Sequence, residues 1–154
     1  MNHDPESRIK ELGLELPPVP KPAGVYKPVV VCGNLLYVSG HGPVKSDGTL
    51  IKGVVGKDID LEAGKLAARQ VGLTMLATIK AHFGDLKKIK RIVKTLGMVN
   101  STPDFGGQPA VINGFSELMG EVFGEENGIG ARSAVGAMLP GNMAIEVEAI
   151  FEIE

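Results

Sequence analysis

The order of elements along the chain, β-β-β-α-β-α-β-β, predicts an α+β domain built as a two-layer sandwich. Two helices are too few to cover both faces of a mixed sheet, so both are expected on one face. Three observations carry this expectation. Residues 143–153 read as a last strand that alternates: Ile145, Val147, Ala149, Phe151 and Ile153 point one way, toward the helices. Glu146, Glu148, Glu152 and Glu154 point the other way, with Ala144 and Ile150 among them. A helix over 109–123 has the strongest period, with Val111, Ile112, Phe115, Leu118, Met119, Val122 and Phe123 forming one core-facing stripe. Finally, a strand over 89–99 is apolar on both faces toward its end (Ile92, Val93, Leu96, Met98, Val99), as in strands covered on both sides. Part of the outer sheet face is therefore expected to be buried, and a subunit partner could bury it.

The elements follow in order. Asp4-Pro5-Glu6 reads as an N-cap, a first-turn proline and an acidic first turn, starting a helix that runs through Leu12 and stops at Gly13. Pro17, Pro18, Pro20 and Pro22 then force an extended connection, so residues 1–23 form an N-terminal helix and proline-rich arm, with the domain proper at 24–154. Residues 29–31 and 35–38 are β-rich runs around the turn signal Gly33-Asn34, a hairpin. The second run closes on Ser39-Gly40-His41-Gly42-Pro43. After Asp47-Gly48, residues 49–55 are expected to form a short edge strand. A helix starting at Asp58 or Asp60 is expected to reach His82, with Leu66, Leu73, Leu76, Ile79 and Phe83 on its apolar stripe. Residues 124–130 are expected to be a loop. A strand over 132–139 and Pro140-Gly141-Asn142 lead to the last strand.

Composition removes several function classes. The chain has 154 residues, enough for one domain with its own core. A net charge of -2 gives no overall attraction to phosphate backbones, and 5% aromatics offer few platforms for stacked bases. Nucleic acid is therefore not an expected partner. The basic run Lys87-Lys88-Ile89-Lys90-Arg91 is the best exception, and it reads more readily as a solvated strand edge. No apolar run of membrane or signal-peptide length occurs, and the single Cys32 cannot form an internal disulfide. The cytoplasm is the expected compartment and no membrane is an expected partner. His3, His41 and His82 lack metal-ligand spacing, and no phosphate-binding loop, dinucleotide fingerprint or serine elbow occurs.

The residues that remain suit a small carboxylate-bearing metabolite. Arg132 opens a strand, and although a lone Arg there is usually a surface charge, in a cleft its planar fork can grip a carboxylate through two parallel hydrogen bonds. The glutamates of the last strand would ordinarily be a solvated face; in a partly buried groove their pKa rises and they can serve as bases. Ser39-Gly40 ends a strand where backbone can approach a ligand closely. Asn113 lies beside the apolar stripe of the second helix, free to cap a loop or reach a ligand.

These stretches resemble the RidA/YjgF family, the reactive-intermediate deaminases with a chorismate-mutase-like fold. The strongest stretch is Ala131-Arg132-Ser133 through Leu139-Pro140 to Ile145-Glu146-Val147-Glu148-Ala149-Ile150, with Gly24-Val25-Tyr26, Gly33-Asn34, Ser39-Gly40 and Ile112-Asn113 in the expected order. The resemblance implies a homotrimer with clefts between subunits and hydrolysis of enamines and imines, such as 2-aminoacrylate, to 2-oxo acids and ammonia. It implies no metal or organic cofactor. It assigns the substrate carboxylate to Arg132, activation of water to Glu146, and the pocket wall to Tyr26, Ser39, Gly40 and Asn113. The chain departs from the pattern at Ala134, where many deaminating members have cysteine, around Gly136, at Gly130 and at His41. The departures at Ala134 and Gly136 leave a non-catalytic metabolite-binding trimer as a competing expectation; an endoribonuclease or translation inhibitor, an activity also attributed to some family members, has only the basic run at 87–91 as local support.

Overall fold

The alternation of the last strand organises the molecule, described for residues 4–154 in a computed structural model. Strand β5 (Ile145–Ile153) lies at the centre of a five-stranded sheet ordered β1-β2-β5-β3-β4, with β1 (Val29–Cys32), β2 (Leu35–His41), β3 (Ile89–Asn100) and β4 (Ala131–Ala137). All neighbours are antiparallel except β3 and β4, which run parallel, so the sheet is mixed. Ile145, Val147, Ala149, Phe151 and Ile153 are all buried on the inner face. Two long helices, α2 (Leu61–His82) and α3 (Gln108–Phe123), cover that face alone. The expected two-layer architecture is present.

The helices begin where the sequence signals them. The Asp60 carboxylate caps α2 by accepting from the Ala63 amide at 2.8 Å. Asp4 accepts from the Glu6 amide at 3.1 Å and starts the short α1 (Pro5–Glu11), with Pro5 in its first turn. Helix α1 lies against the helix layer: Ile9 is buried, the Arg8 Nε donates to the Glu121 carbonyl, and Lys80 pairs with Glu6 at 2.9 Å. The arm that follows is thus tied down at its start.

Helices α2 and α3 pack closely because small residues face each other. Gly114 on α3 sits against the Lys65 carbonyl and the Arg69 amide of α2, and a methyl group there would strike that backbone. Lys65 pairs with Glu117 at 3.3 Å and Arg69 with Glu121 at 2.8 Å along the same seam. Gly97 on β3 likewise leaves room for Ile112 of α3. Gly114→Ala is expected to cost at least the roughly 1–3 kcal/mol of core overpacking, because rigid backbone on both sides must separate. Urea denaturation would register it as a lower midpoint at unchanged slope.

Three expectations need correction. Residues 49–55 do not form a strand. Gly48, Gly53 and Gly56 take φ of 86°, 131° and 95°, bending the segment so that it makes only isolated bridges, Leu50 to Val44, Lys52 to Met143 and Val55 to Ile59 and Ser101. Leu66 is not on the core stripe of α2; it is 69% exposed, and the buried face is carried by Ala67, Ala68, Val71, Met75, Leu76 and Ile79. Short side chains let α2 meet α3 and the sheet together, a face that a search for large apolar residues overlooks. Residues 124–130 are not all loop: Glu125–Gly128 forms one helical turn, α4, where Gly128 packs on the Met119 carbonyl with no room for a Cβ.

Among the described residues, no layer of helices covers the outer sheet face. Leu96, Met98 and Ile150 are half-buried there by their neighbours, while Val30, Tyr37 and Val135 are exposed.

Candidate functional site

The candidate residues fall into two groups on different faces of the sheet. In the first, β2 carries a bulge: its register with β5 shifts between Val38, which opposes Ala149, and His41, which opposes Val147. Ser39 and Gly40 together therefore oppose one residue of β5, and both Val38 and His41 point inward. The bulge is tied at several points. The Ser39 hydroxyl donates to the Lys27 carbonyl at 2.6 Å, and the Ser39 amide donates to the Pro28 carbonyl at 2.9 Å. From below, the buried His41 ring reaches the Ser39 carbonyl through Nδ1 and the Thr78 hydroxyl of α2 through Nε2, the latter at 2.9 Å.

A carbonyl only accepts, so Nδ1 carries the proton and neutral Nε2 accepts from Thr78. Burial holds the imidazole below its ordinary value against the opposing pull of the Ser39 carbonyl, which keeps this arrangement at neutral pH. His41 is thus a strut under the bulge, a role without a signature in the sequence.

The bulge brings Gly40 against Glu146. A Cβ on Gly40 would lie 2.6 Å from Glu146 Oε1, so only glycine lets the carboxylate rest there. Burial pushes the Glu146 carboxyl above its ordinary value, and the neighbouring Glu148 charge adds to the rise. Glu146 and Glu148 open into a cleft of about 720 Å³ that is also bordered by Tyr26, Ser39, Gly40 and His41. Its lining also includes Leu50, Met143 and Pro140, and residues 20–24 of the arm. Tyr26 is half exposed, and its phenol oxygen accepts from the Ala23 amide at 3.2 Å. Four of the six predicted site residues, Tyr26, Ser39, Gly40 and Glu146, thus share one cleft.

The second group contains Arg132 and Asn113. Arg132 aligns with Thr95 in the β3–β4 ladder, and Thr95 aligns with inward-facing Ala149, so Arg132 points to the helix side. There its Nη1 donates to Asn113 Oδ1 at 2.9 Å and to Ser116 Oγ at 3.2 Å, and its Nη2 donates to the Pro109 carbonyl at 3.2 Å. Pro109, Asn113 and Ser116 share one face of α3, four and three residues apart. That spacing was the available signal for Ser116, which sequence reasoning missed. Among the described residues no acceptor takes the Nε–H or the second Nη2 hydrogen of this half-exposed guanidinium on the edge strand β4. Within one chain the Asn113 amide oxygen is engaged by the arginine it helps to orient.

Within one chain Arg132 and Glu146 do not converge. They lie on opposite faces, with β3 between their strands; two strand spacings make about 10 Å across, and three residues add about 10 Å along the strand. Among the described residues, no three or more His, Cys, Asp or Glu side chains gather to hold a metal ion. The run at 87–91 is largely partnered: Arg91 pairs with Glu152 at 2.6 Å, Lys90 reaches the same carboxylate at 4.0 Å, and Lys87 reaches Asp4 at 3.9 Å.

Comparison with known proteins bears on this arrangement as a whole. Residues 6–149 match the model of a family described as "YjgF/chorismate mutase-like, putative endoribonuclease". Protein TCP17 of Trypanosoma cruzi is 40% identical over 148 residues, which are 96% of this chain and 92% of that protein. The crystal structure of the Agrobacterium tumefaciens protein Atu1372, of unknown function, is 45% identical, with a TM-score of 0.87 over 98% of this chain and 94% of that one. A crystal structure from Shewanella oneidensis, carrying the same endoribonuclease description, is 33% identical, with a TM-score of 0.92 over 97% and 99%. The match runs from α1 through the bulge and the Arg132 strand into the Glu146 strand, and the chain belongs to the RidA/YjgF family.

Proposed function

We propose that the protein hydrolyses imines and enamines of amino acids to 2-oxo acids and ammonia, at sites completed by two copies of the chain in a homotrimer. The observation that carries this reading is the division of the site: an oriented, half-satisfied guanidinium on an edge strand, and a carboxylate of raised pKa on an uncovered sheet face. Each is incomplete alone. A second copy that covers the outer face and presents its own Arg132 supplies what the first lacks.

The chemistry follows from the parts. The two open donors of Arg132 hold the substrate carboxylate, placing the C=N carbon near Glu146. Glu146 takes a proton from water as its oxygen bonds to that carbon. The proton returns to the nitrogen of the tetrahedral adduct; the adduct hydroxyl then passes its own proton to that nitrogen as the C–N bond breaks, which forms the C=O of the 2-oxo acid and releases ammonia. An enamine first takes a proton at its β-carbon to reach the same imine. Water supplies the oxygen and no oxidant is required. The raised pKa of Glu146 suits a group that must both accept and return a proton.

A non-catalytic binding trimer is the second reading. It draws on Ala134 and Gly136, which share the helix-facing side of β4 with Arg132. The endoribonuclease reading finds little local support, since the run at 87–91 is drawn into pairs with Asp4 and Glu152. The decisive assay generates imino acids with an amino-acid oxidase and follows 2-oxo acid release. Acceleration over free solution supports the deaminase; binding of 2-oxo acids without acceleration supports the binding trimer.

Gly40→Ala separates position from identity at the carboxylate. The three atoms nearest the added methyl all belong to the flexible Glu146 side chain, so the fold is expected to survive with little change in stability. The carboxylate must shift by about 1 Å, and a misplacement of that size can cost about 100-fold in rate. A steady-state comparison with the parent protein checks it.

A further inference from the structure

The cleft beside Glu146 is larger and more apolar than the smallest imino acids require. Beyond the carboxylate, its floor is built where Leu50 and Met143 meet over Gly42; a Cβ there would lie 2.8 Å from Met143 Sδ and 3.1 Å from Leu50 Cδ2. Those residues are fixed in place. Leu50 bridges to Val44, Met143 bridges to Lys52, the Ile51 amide donates to the Pro43 carbonyl at 3.0 Å, and the Ala144 amide donates to the Ile51 carbonyl at 3.0 Å. The arm also lines the cleft, through Pro20 and Pro22 among others. Proline holds this wall extended at little further entropic cost, and α1 anchors its far end on the helix layer. Its polar lining groups are Tyr26, Ser39, His41, Glu146 and Glu148, with Lys21 on the arm.

From this geometry we infer that the space between Leu50, Met143 and the arm is a side-chain subsite, which makes imines of large apolar amino acids the preferred substrates. The inference rests on the deaminase reading for its substrate class. It goes beyond that reading in assigning selectivity to the arm and to the segment around Leu50. Burying a leucine- or methionine-sized side chain against these walls removes apolar surface from water, whereas the methyl of an alanine-derived imine leaves most of the subsite empty.

The test compares kcat/KM for imines made by an amino-acid oxidase from leucine, methionine and alanine. The leucine and methionine imines are expected to be favoured at least tenfold. Leu50→Ser and Pro22→Asp, which put polar groups into the two walls, are expected to bring that ratio toward one; Pro22 is exposed, so its replacement does not threaten the core. A ratio near one in the parent protein, or one that neither variant moves, overturns the inference and leaves the deaminase reading intact. Calorimetry with 4-methyl-2-oxopentanoate and pyruvate supplies a readout independent of turnover. If no imine is hydrolysed, the deaminase reading fails, while tenfold tighter binding of the larger acid still supports the subsite. Equal binding of the two acids, or a protomer contact that fills the space beside Leu50, overturns it.

Discussion

Exchange of Glu146 for glutamine is expected to lower kcat/KM for imine hydrolysis by about 10²–10⁴-fold, the usual contribution of a positioned general base. Glutamine keeps the size and the place against Gly40 and removes only the titrating oxygen. The pH profile distinguishes this from a packing defect. The proposed mechanism requires ionised Glu146, so the acid limb of kcat/KM is expected above the ordinary carboxyl value of 4.5, because burial and then Glu148 raise it. Glu148→Gln removes the second cause and is expected to move that limb toward lower pH.

Stability runs in the opposite direction. Because the folded state holds the Glu146 proton more tightly than the unfolded chain, this group's contribution is fully present below about pH 4.5 and lost as pH rises through the raised value. Glu146→Gln is therefore expected to be no less stable than the parent protein at pH 7 while being far less active. Thermal melts across pH 4–8 check the sign.

Replacement of Arg132 by alanine is expected to weaken binding of 2-oxo acids by about 2–5 kcal/mol, or roughly 30-fold to several-thousand-fold. The loss has two parts. The substrate carboxylate loses its fork, and Asn113, Ser116 and the Pro109 carbonyl lose the group they hold in place. Arg132→Lys is expected to recover little of it, since an ammonium offers no planar pair of donors and cannot satisfy three acceptors spread along α3. Asn113→Ala should fall between, with the charge retained and the orientation loosened. Isothermal calorimetry on the three variants gives the order. Full binding by Arg132→Ala would remove the guanidinium from the proposed site.

Both experiments bear on assembly, because in the proposed mechanism neither group works alone. The apolar positions left open on the outer face, Val30, Tyr37 and Val135, lie on the surface a second copy is proposed to cover, together with fully exposed Met138 nearby. Sedimentation at assay concentrations would relate trimer formation directly to activity.

Local pattern carried much of the architecture. Strand β5 could be read because its alternation follows the pleat, and α3 because its apolar stripe follows the helical turn; both periods are set by backbone geometry before any tertiary contact forms. The caps at Asp4 and Asp60 were legible for a similar reason, since a side chain satisfies its own nearby amides. Arg132, Glu146 and the Ser39-Gly40 pair could be named from residue type and family pattern. What residue order left open were relations between segments distant along the chain. The bridges of residues 49–55 reach Met143 and Ser101, the close approach of α2 and α3 brings Gly114 against the Lys65 carbonyl, and the strut under the bulge needs His41 to meet Thr78. The placement of Arg132 and Glu146 on opposite faces follows from register: β3 aligns Arg132 through Thr95 with Ala149, three residues from Glu146, and those pairings are long-range hydrogen bonds that no local period encodes.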